Sequence, residues 1–190
     1  MESSSPKILS GFCKGLKLKV KKGDSVRPTP VRVREAVMSR ILEDLEGATF
    51  WDLCAGSGAM GIEAMSRGAH HVFWVESDRQ AAFLLKDNIA SALQRFKNQD
   101  LAEPETGVQL CNVSQAIAKL PKASVIWADP PWAMVERELL AWGALLDAKL
   151  ESGGVFILES AKGTEIPVLP WDLEWKRSYG QAEVSLWRKA

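Results

Sequence analysis

The sequence has few of the residues that build disulfide-rich or metal-bound domains. It contains three cysteines, Cys13, Cys54 and Cys111, and two adjacent histidines, His70 and His71. An odd number of cysteines without a Cys-x-x-Cys pair argues against a disulfide framework and against a zinc ribbon. The two histidines have no further ligands at metal spacing. We therefore expect a protein of the reducing cytoplasm that binds no metal.

Long apolar runs are also absent. No stretch reaches the roughly 18 apolar residues that indicate a membrane-spanning helix, and residues 1–7 lack the apolar segment of an export signal. The sequence thus predicts neither a membrane span nor export. Its 190 residues, 46% of them hydrophobic, suffice for one buried core but are few for two full domains. We expect a monomer with one domain, residues 27–190, and a small N-terminal extension, residues 1–26.

Net charge is lacking too, because 24 basic side chains balance 24 acidic ones. The two signs are nevertheless unevenly distributed. Residues 1–40 hold ten basic and three acidic side chains, which leaves 14 basic and 21 acidic ones for residues 41–190. A basic arm on an acidic body is typical of proteins that concentrate phosphate contacts on one side. A solvated, lysine-rich hairpin explains the charge of the first 40 residues equally well.

The spacing of apolar residues predicts two elements near the N-terminus. Residues 7–20 alternate apolar and basic side chains on one arm and contain glycines at the bend, which predicts a basic β-hairpin. A helix is expected after it, with Thr29 as N-cap, Pro30 at the first helical position and Gly47 at its end.

Apolar runs that do not alternate with polar residues follow this helix. The predicted strands are 49–54, 72–76, 108–111, 125–129 and 155–159, and the helices between them are 59–67, 79–96, 114–120 and 134–150. Residues 97–107 are polar and are expected to form a surface loop. Such alternation predicts an α/β fold with a mostly parallel sheet and helices on both faces. Residues 173–177 and 183–188 predict a C-terminal antiparallel hairpin, which makes seven strands.

A glycine-rich loop follows the first predicted strand. Residues 56–61 read Gly-Ser-Gly-Ala-Met-Gly, and Glu76 lies twenty residues after the first of these glycines, at the tip of the next strand. Glycines allow the backbone to approach a ligand, and a carboxylate at that tip can accept hydrogen bonds from ribose hydroxyls. The pattern fits a nicotinamide dinucleotide as well as S-adenosylmethionine. The loop alone does not choose between them.

Two features favour S-adenosylmethionine. Asp52 lies inside the first strand, where its carboxylate can order the loop and face the cationic methionine end of that cofactor, whereas a pyrophosphate would be repelled. The segment Asp129-Pro130-Pro131-Trp132, at the end of the fourth predicted strand, has no evident use in hydride transfer. It lies near the switch point at which doubly wound sheets bind ligands.

The Asp-Pro-Pro-Trp segment indicates methylation of an amino group on a flat heterocycle. The lone pair of such an amine is delocalised into the ring and must be aimed at the methyl donor. Asp129 can accept one N–H bond and the Pro130 carbonyl the other as the amine becomes pyramidal. The prolines stiffen this loop, and Trp132 offers a stacking face for a base taken out of its stack.

These residues together resemble the bacterial 16S ribosomal RNA guanine-N2 methyltransferases of the small subunit. The resemblance covers nearly the whole chain and includes Lys14-Gly15-Leu16-Lys17-Leu18, Arg27-Pro28-Thr29, Val33-Arg34-Glu35 and Tyr179-Gly180 in addition to the two motifs. The Arg-Pro-Thr and Val-Arg-Glu segments matter most. Adenine-N6 and cytosine-N4 methyltransferases also carry Asp-Pro-Pro followed by an aromatic residue, and these two segments separate the families.

The resemblance implies a Rossmann-like class I methyltransferase fold, S-adenosylmethionine as donor and a guanine of 16S ribosomal RNA, naked or in the assembled small subunit, as acceptor. The implied catalytic residues are Asp129, Pro130, Pro131 and Trp132. The implied cofactor-binding residues are Asp52, Ala55, Gly56, Ser57, Gly58, Gly61, Glu76, Ser77, Asn112, Val113 and Asp129. The implied RNA-binding residues are Lys17, Lys19, Arg27, Thr29, Arg32 and Arg34.

The chain departs from the pattern of this family in three places. Trp132 stands where members mostly have phenylalanine, and Val31 replaces a residue that is commonly polar. Asn112-Val113 stands where Asp-Ala is usual, although an amide oxygen can still accept from an adenine amino group. Two alternatives stay open: an adenine-N6 methyltransferase acting on RNA or DNA, and a ribosome-assembly factor that binds S-adenosylmethionine without turnover.

Overall fold

A mixed sheet forms the centre of the protein. The structure, a computed structural model, describes residues 5–21 and 29–190. Its strands are β1 (Thr49–Leu53), β2 (His71–Glu76), β3 (Glu105–Leu110), β4 (Ala123–Ala128), β5 (Leu150–Ala161), β6 (Asp172–Tyr179) and β7 (Ala182–Arg188). Within the described residues these seven strands lie in the order β3-β2-β1-β4-β5-β7-β6. The first five pair in parallel, while β7 pairs antiparallel with both β5 and β6. The predicted α/β sheet with a C-terminal antiparallel hairpin is confirmed.

Helices cover both faces of the sheet. They are α1 (Val31–Arg40), α2 (Leu42–Leu45), α3 (Ala59–Ser66), α4 (Arg79–Lys97), α5 (Val113–Ile117) and α6 (Val135–Lys149). One core contains Val37, Ile62 and Leu85 from α1, α3 and α4, and the other contains Ala116 and Leu139 from α5 and α6. Strands buried on both faces need apolar residues in both directions, which explains their non-alternating sequence. No helix in the described part of the chain has the length and apolarity that crossing a membrane requires.

The helix expected after Thr29 begins differently from the prediction. Pro30, rather than Thr29, is the N-cap residue of α1, and no side chain caps this end. The Thr29 hydroxyl lies 3.5 Å from Oδ2 of Asp129 instead. The N-cap role of Thr29 is therefore wrong, because its hydroxyl faces the end of β4. The helix is also interrupted after Arg40, and α2 continues it as a separate turn.

The edge strand β3 begins inside the segment that was expected to be a surface loop. Glu105 pairs with His71 and Thr106 with Val72, so the loop of residues 97–107 is shorter than predicted. An edge strand needs the backbone of only one neighbour and is commonly polar. Its first residues therefore carry no apolar run that would reveal the strand in the sequence.

The N-terminal segment packs into the body of the protein. The hairpin expected over residues 7–20 is limited, in the described residues, to one antiparallel bridge between Lys7 and Lys17. Ile8, Cys13 and Leu18 are buried in the same core as α1, α3 and α4. Residues 5–21 thus share the core of the domain. The expected domain boundary at residues 26 and 27 lies outside the described residues.

A buried ion pair anchors this segment. The Nη1 atom of Arg34 lies 3.8 Å from Oε1 of Glu63, and the two side chains are 1% and 0% exposed. Arg34 also donates to the Lys7 carbonyl at 3.0 Å, and Glu63 accepts from the Leu9 N–H at 2.6 Å. The RNA contact implied for Arg34 is wrong, because its guanidinium is enclosed by the protein. Its role is to hold the N-terminal segment against α3.

We expect Arg34→Ala to lower the free energy of unfolding by about 3 kcal/mol, since removing one partner leaves the other charge buried. Glu63 would keep Arg67 as its partner at 3.3 Å, but the Lys7 carbonyl would lose a donor. Arg32→Ala is the matched control on the exposed side of α1, with an expected change below about 0.5 kcal/mol. Urea unfolding followed by tryptophan fluorescence measures both. Equal losses would contradict an anchoring role for Arg34.

Candidate active site

The loop between β1 and α3 requires glycine at two positions. Gly58 precedes α3 with φ +79°, and Gly61 lies in the first turn of that helix. A Cβ on Gly58 would stand 2.3 Å from Cδ1 of Leu85, and one on Gly61 would stand 2.3 Å from Nε1 of Trp74. Gly61 thus lets α3 pack directly on β2, and Gly58 leaves room for the Leu85 side chain of α4. Gly56 has open space where a Cβ would lie, so a ligand can approach the backbone there.

Asp52 holds this loop from within β1. Its side chain is 1% exposed, and its Oδ2 accepts the Gly61 N–H at 2.8 Å. The expectation that this carboxylate orders the loop is confirmed. Burial raises the pKa of Asp52 well above its usual range, the Gly61 N–H opposes this, and the charges of Asp129 and Glu76 raise the pKa further.

Glu76 connects the tip of β2 to the glycine loop. Its Oε2 accepts the Gly56 N–H and its Oε1 accepts the Asp78 N–H, both at 2.8 Å. Asp78 in turn caps α4 by accepting from the Ala81 N–H at 2.8 Å. A carboxylate oxygen can accept more than one hydrogen bond, so Glu76 keeps acceptor capacity for a ligand hydroxyl. Ala55 also joins the two strands, since its N–H donates to the Val75 carbonyl at 2.9 Å.

Asn88 links the loop to the N-terminal segment and was not predicted from the sequence. Its Nδ2 donates to the carbonyls of Ser57, at 3.0 Å, and Lys19, at 2.9 Å. Its Oδ1 accepts the Lys19 N–H at 2.8 Å. The signal in the sequence is an amide on the apolar side of α4, where Leu85 and Ala92 are buried. A polar residue in that position needs partners, and it finds them in two separate loops.

Three residues implied in cofactor binding, Ser77, Asn112 and Val113, have unequal surroundings. Asn112 caps α5, because its Oδ1 accepts the Gln115 N–H at 2.9 Å. Val113 is 6% exposed and packs in the core on the α5 and α6 side, whereas Ser77 is exposed at the tip of β2. The amide oxygen of Asn112 thus already has a structural role.

Asp129 lies where β4 ends. Its N–H donates to the Leu53 carbonyl of β1 at 3.3 Å, and its Oδ2 lies 3.5 Å from the Thr29 hydroxyl. Burial raises the pKa of Asp129 to about 7, and the hydrogen bond from Thr29 opposes the rise. Pro130 is buried, and Trp132, 39% exposed, begins a short 3-10 turn that leads to α6. The indole is accessible to a planar ligand.

Glu159 was also not predicted as a site residue. It is 4% exposed and follows Leu158, which pairs with Ala128, so it lies beside Asp129 in the neighbouring strand. Its Oε2 has no hydrogen-bond partner among the described residues. Burial and the charge of Asp129 raise the pKa of Glu159 to about 8. The signal in the sequence is an acid within a strand, directly after the apolar run of residues 155–158.

The reversal of strand order between β1 and β4 brings these groups together. From β1 the sheet extends through β2 to β3 on one side and through β4 to β5 on the other. In doubly wound sheets the loops on the two sides of such a reversal separate and leave a crevice at the carboxyl edge, where ligands bind. Four carboxyl groups line that edge, from Asp52, Glu76, Asp129 and Glu159. The glycine loop and the Asp-Pro-Pro-Trp segment are therefore neighbours.

The residues implied in RNA binding have different environments. Lys17 and Arg32 are exposed, and Lys19 is exposed but pairs with Asp87 at 2.9 Å. Thr29 contacts Asp129 and so belongs to the crevice. Arg27 lies outside the described residues.

The chain matches a known protein family over nearly its whole length. The family model described as "Conserved hypothetical protein 95" matches residues 6–188. The chain belongs to this family. It is 33% identical over 188 residues to the Bacillus subtilis protein named "Putative rRNA methyltransferase YlbH", covering 96% of this chain and 98% of that protein. It is 28% identical over 193 residues to "Ribosomal RNA small subunit methyltransferase D" of Escherichia coli K12, covering 98% and 91%.

A solved structure of the family has the same fold. The Escherichia coli protein described as "Putative methyltransferase yhhF" superimposes with a TM-score of 0.82 at 29% identity, covering 98% of this chain and 99% of its own. The resemblance to small-subunit ribosomal RNA methyltransferases stated from the motifs is thereby confirmed at the level of the family. The methyltransferase fold is confirmed with it.

We expect the free protein to lose stability as the pH rises from about 5 to about 8. The pKa values of Asp129 and Glu159 are about 7 and about 8 in the folded chain, whereas unfolded Asp and Glu titrate near roughly 4. Between these values the folded chain holds protons that the unfolded chain has released. Raising the pH therefore favours unfolding, and the stabilising contribution is fully present only below about pH 4.

Urea unfolding midpoints at pH 5 and pH 8 measure this effect. Glu159→Gln carries no charge at either pH and is expected to flatten the decline. Glu151→Gln, at an exposed position near the start of β5, is the control and should decline like the unmodified protein. An unchanged decline in Glu159→Gln would show that Glu159 titrates normally.

Proposed function

We propose that this protein is a cytoplasmic enzyme that transfers a methyl group from S-adenosylmethionine to the 2-amino group of a guanine in 16S ribosomal RNA. The observation that carries the proposal is the adjacency of two loops, the glycine loop after β1 and Asp129–Trp132 after β4. One suits a methyl donor and the other an amino acceptor. Relatives named as ribosomal RNA methyltransferases support RNA as the substrate.

The residues at the carboxyl edge fit S-adenosylmethionine. Gly56 leaves its backbone open, and Glu76, held at the tip of β2, retains acceptor capacity for ribose hydroxyls. The carboxyl groups of Asp52, Asp129 and Glu159 favour the cationic methionine end and disfavour the pyrophosphate of a dinucleotide. When bound, S-adenosylmethionine supplies an electrophilic methyl group on a sulfonium. In this proposal the Asn112 amide accepts from the adenine amino group, and Ser77 and Val113 contact the same cofactor.

The segment that follows β4 is suited to hold the acceptor. Asp129 is fixed by its backbone bond to Leu53 and by the Thr29 hydroxyl, so its carboxylate can accept one amino N–H in a defined direction. The Pro130 carbonyl can accept the other. Trp132 offers its exposed face for stacking. Because the donor leaves as a neutral thioether, the proton can pass to water or to Asp129 after transfer, and a strong base is not needed.

Thr29 acts in this proposal through Asp129 and not through RNA. Its hydroxyl donates to the carboxylate that holds the amino group, which favours the ionised form of that carboxylate. Direct contacts with RNA fall to the exposed basic side chains Lys17, Lys19 and Arg32, together with Arg27. Lys17 and Lys19 precede α1 in the chain, and Arg32 lies in its first turn.

We expect Asp129→Ala to reduce methyl transfer by about 10²–10³-fold, the range found when one transition-state hydrogen-bonding group is removed. Labelled S-adenosylmethionine and small subunits that lack the methyl group measure incorporation, and nucleoside analysis should identify N2-methylguanosine. Glu151→Ala removes the same charge at an exposed position and serves as control. Label on adenine N6 would instead support the adenine methyltransferase alternative, which the Trp132 substitution motivates.

Binding measurements on Asp129→Ala test the alternative of an assembly factor without turnover. S-adenosylmethionine should still raise the unfolding temperature of this variant, and its affinity for RNA should remain close to that of the unmodified protein. An enzyme would then form almost no methylated nucleoside but would still bind S-adenosylmethionine and RNA. A protein whose role is assembly alone would form no methylated nucleoside even before the substitution.

We expect the combined change of Lys17, Lys19 and Arg32 to Gln to weaken RNA binding and to flatten its salt dependence. Each lost phosphate contact should reduce the slope of log K against log salt by about 0.7–0.9. Lys122→Gln, exposed just before β4 at the opposite edge of the sheet, is the control. Filter binding at several salt concentrations gives the slopes. Identical slopes for the triple variant and the control would show that these side chains are solvated and do not contact phosphates.

A further inference from the structure

An unsatisfied carboxyl oxygen stands in the crevice that the proposed reaction uses. Glu159 is 4% exposed, and its Oε2 has no hydrogen-bond partner among residues 5–21 and 29–190. Leaving a buried polar atom unpaired is unfavourable, so such an atom calls for an explanation, and at a site edge a ligand can supply it. Two other carboxyls of the site have partners: Asp52 accepts from the Gly61 N–H and Asp129 from the Thr29 hydroxyl. Glu159 is the exception that needs a partner.

The strand register places Glu159 toward the same side as Asp129. Trp127 and Ile157 pair across β4 and β5, and both lie in the core that α1, α3 and α4 cover. Asp129 and Glu159 each follow two residues later, so their side chains return to this face. The charge of Asp129 acts on Glu159, which is consistent with two carboxyl groups side by side. Glu159 is thus close enough to contact the same base whose amino group Asp129 is proposed to bind.

Guanine carries hydrogen-bond donors that the carboxyl groups of Asp129 and Glu159 can accept. Its Watson–Crick edge carries the 2-amino group, then N1–H, then the O6 acceptor. If Asp129 and the Pro130 carbonyl hold the amino group, the adjacent N1–H needs an acceptor of its own, because it too leaves water. Adenine offers an unprotonated N1 next to its amino group and cannot donate there. An acceptor beside Asp129 therefore distinguishes the two purines.

We propose that Glu159 accepts the N1–H of the target guanine and is the residue that selects guanine at this site. The assignment rests on the proposed methylation of a guanine amino group. A carboxyl group keeps an accepting oxygen whether or not it is protonated, so the assignment does not depend on its charge. A site built to satisfy one hydrogen-bond donor rejects analogues that lack it, since its own polar atom stays unpaired.

The test uses RNA in which 2-aminopurine replaces the target guanine. This base keeps the 2-amino group but lacks both N1–H and O6. We expect the unmodified protein to methylate guanine roughly 10- to 100-fold better than 2-aminopurine, measured as the ratio of kcat/KM values. Glu159→Leu should bring this ratio close to one. Glu159→Gln keeps an accepting oxygen and should retain most of the discrimination.

Glu183→Leu is the matched control. Glu183 is a buried carboxyl on β7, 8% exposed, and pairs in register with Ser160 on the opposite face of the sheet. Its removal should leave the ratio unchanged. Urea unfolding followed by tryptophan fluorescence verifies that each variant is folded, and Glu159→Gln provides the comparison if the leucine variant is unstable.

The outcomes separate this inference from the proposed function. No N2-methylguanosine from the unmodified protein would overturn the proposed function itself. Normal guanine methylation with an undiminished ratio in Glu159→Leu would overturn the role of Glu159 alone. Loss of discrimination in Glu159→Gln as well as in Glu159→Leu would contradict an accepting role and indicate that only the charge matters.

Discussion

The site depends on the reversal of strand order between β1 and β4. Because the chain winds outward in both directions from this point, the two following loops diverge and leave a crevice that no crossover helix fills. The backbone bond from Asp129 to Leu53 joins the two sides of the crevice at its base. Asp52 in β1 and the Asp-Pro-Pro-Trp segment after β4 distinguish this chain from a dinucleotide enzyme with the same glycine loop, and both lie where these two strands meet. The function is therefore a property of two adjacent strand ends and not of either motif alone.

Clustering carboxyl groups at one buried edge is unfavourable for the free protein. Asp52, Asp129 and Glu159 all have pKa values above their usual range, chiefly because burial penalises their charged forms. A cationic ligand reverses part of this penalty, since it stabilises the ionised groups. The same arrangement that weakens the empty site strengthens binding of a sulfonium and an ammonium group. This trade between stability and function is common at active sites.

Much of this architecture could be predicted because it depends on local patterns. Buried parallel strands need apolar runs, and the turn before α3 needs glycine at Gly58 and Gly61, so both are visible in the sequence. The N-terminal segment could not be placed in this way. Its position depends on tertiary contacts of Arg34, Glu63 and Asn88, whose partners lie 27 to 69 residues away in the chain. Lysines alternating with leucines predict a hairpin, but they do not reveal that the leucines complete the core.

The residues that sequence reasoning missed share a physical origin. Asn88 and Glu159 are polar side chains at positions where the pattern calls for apolar ones, and their meaning appears only when their neighbours are known. The Asn88 amide is satisfied by Lys19 and Ser57, so Asn88 couples the N-terminal segment to the glycine loop. Glu159 is left with an unpaired oxygen. Asn88 thus has all its hydrogen-bond partners within the protein, whereas Glu159 has an oxygen available for a ligand. This difference separates a positioning residue from a binding residue.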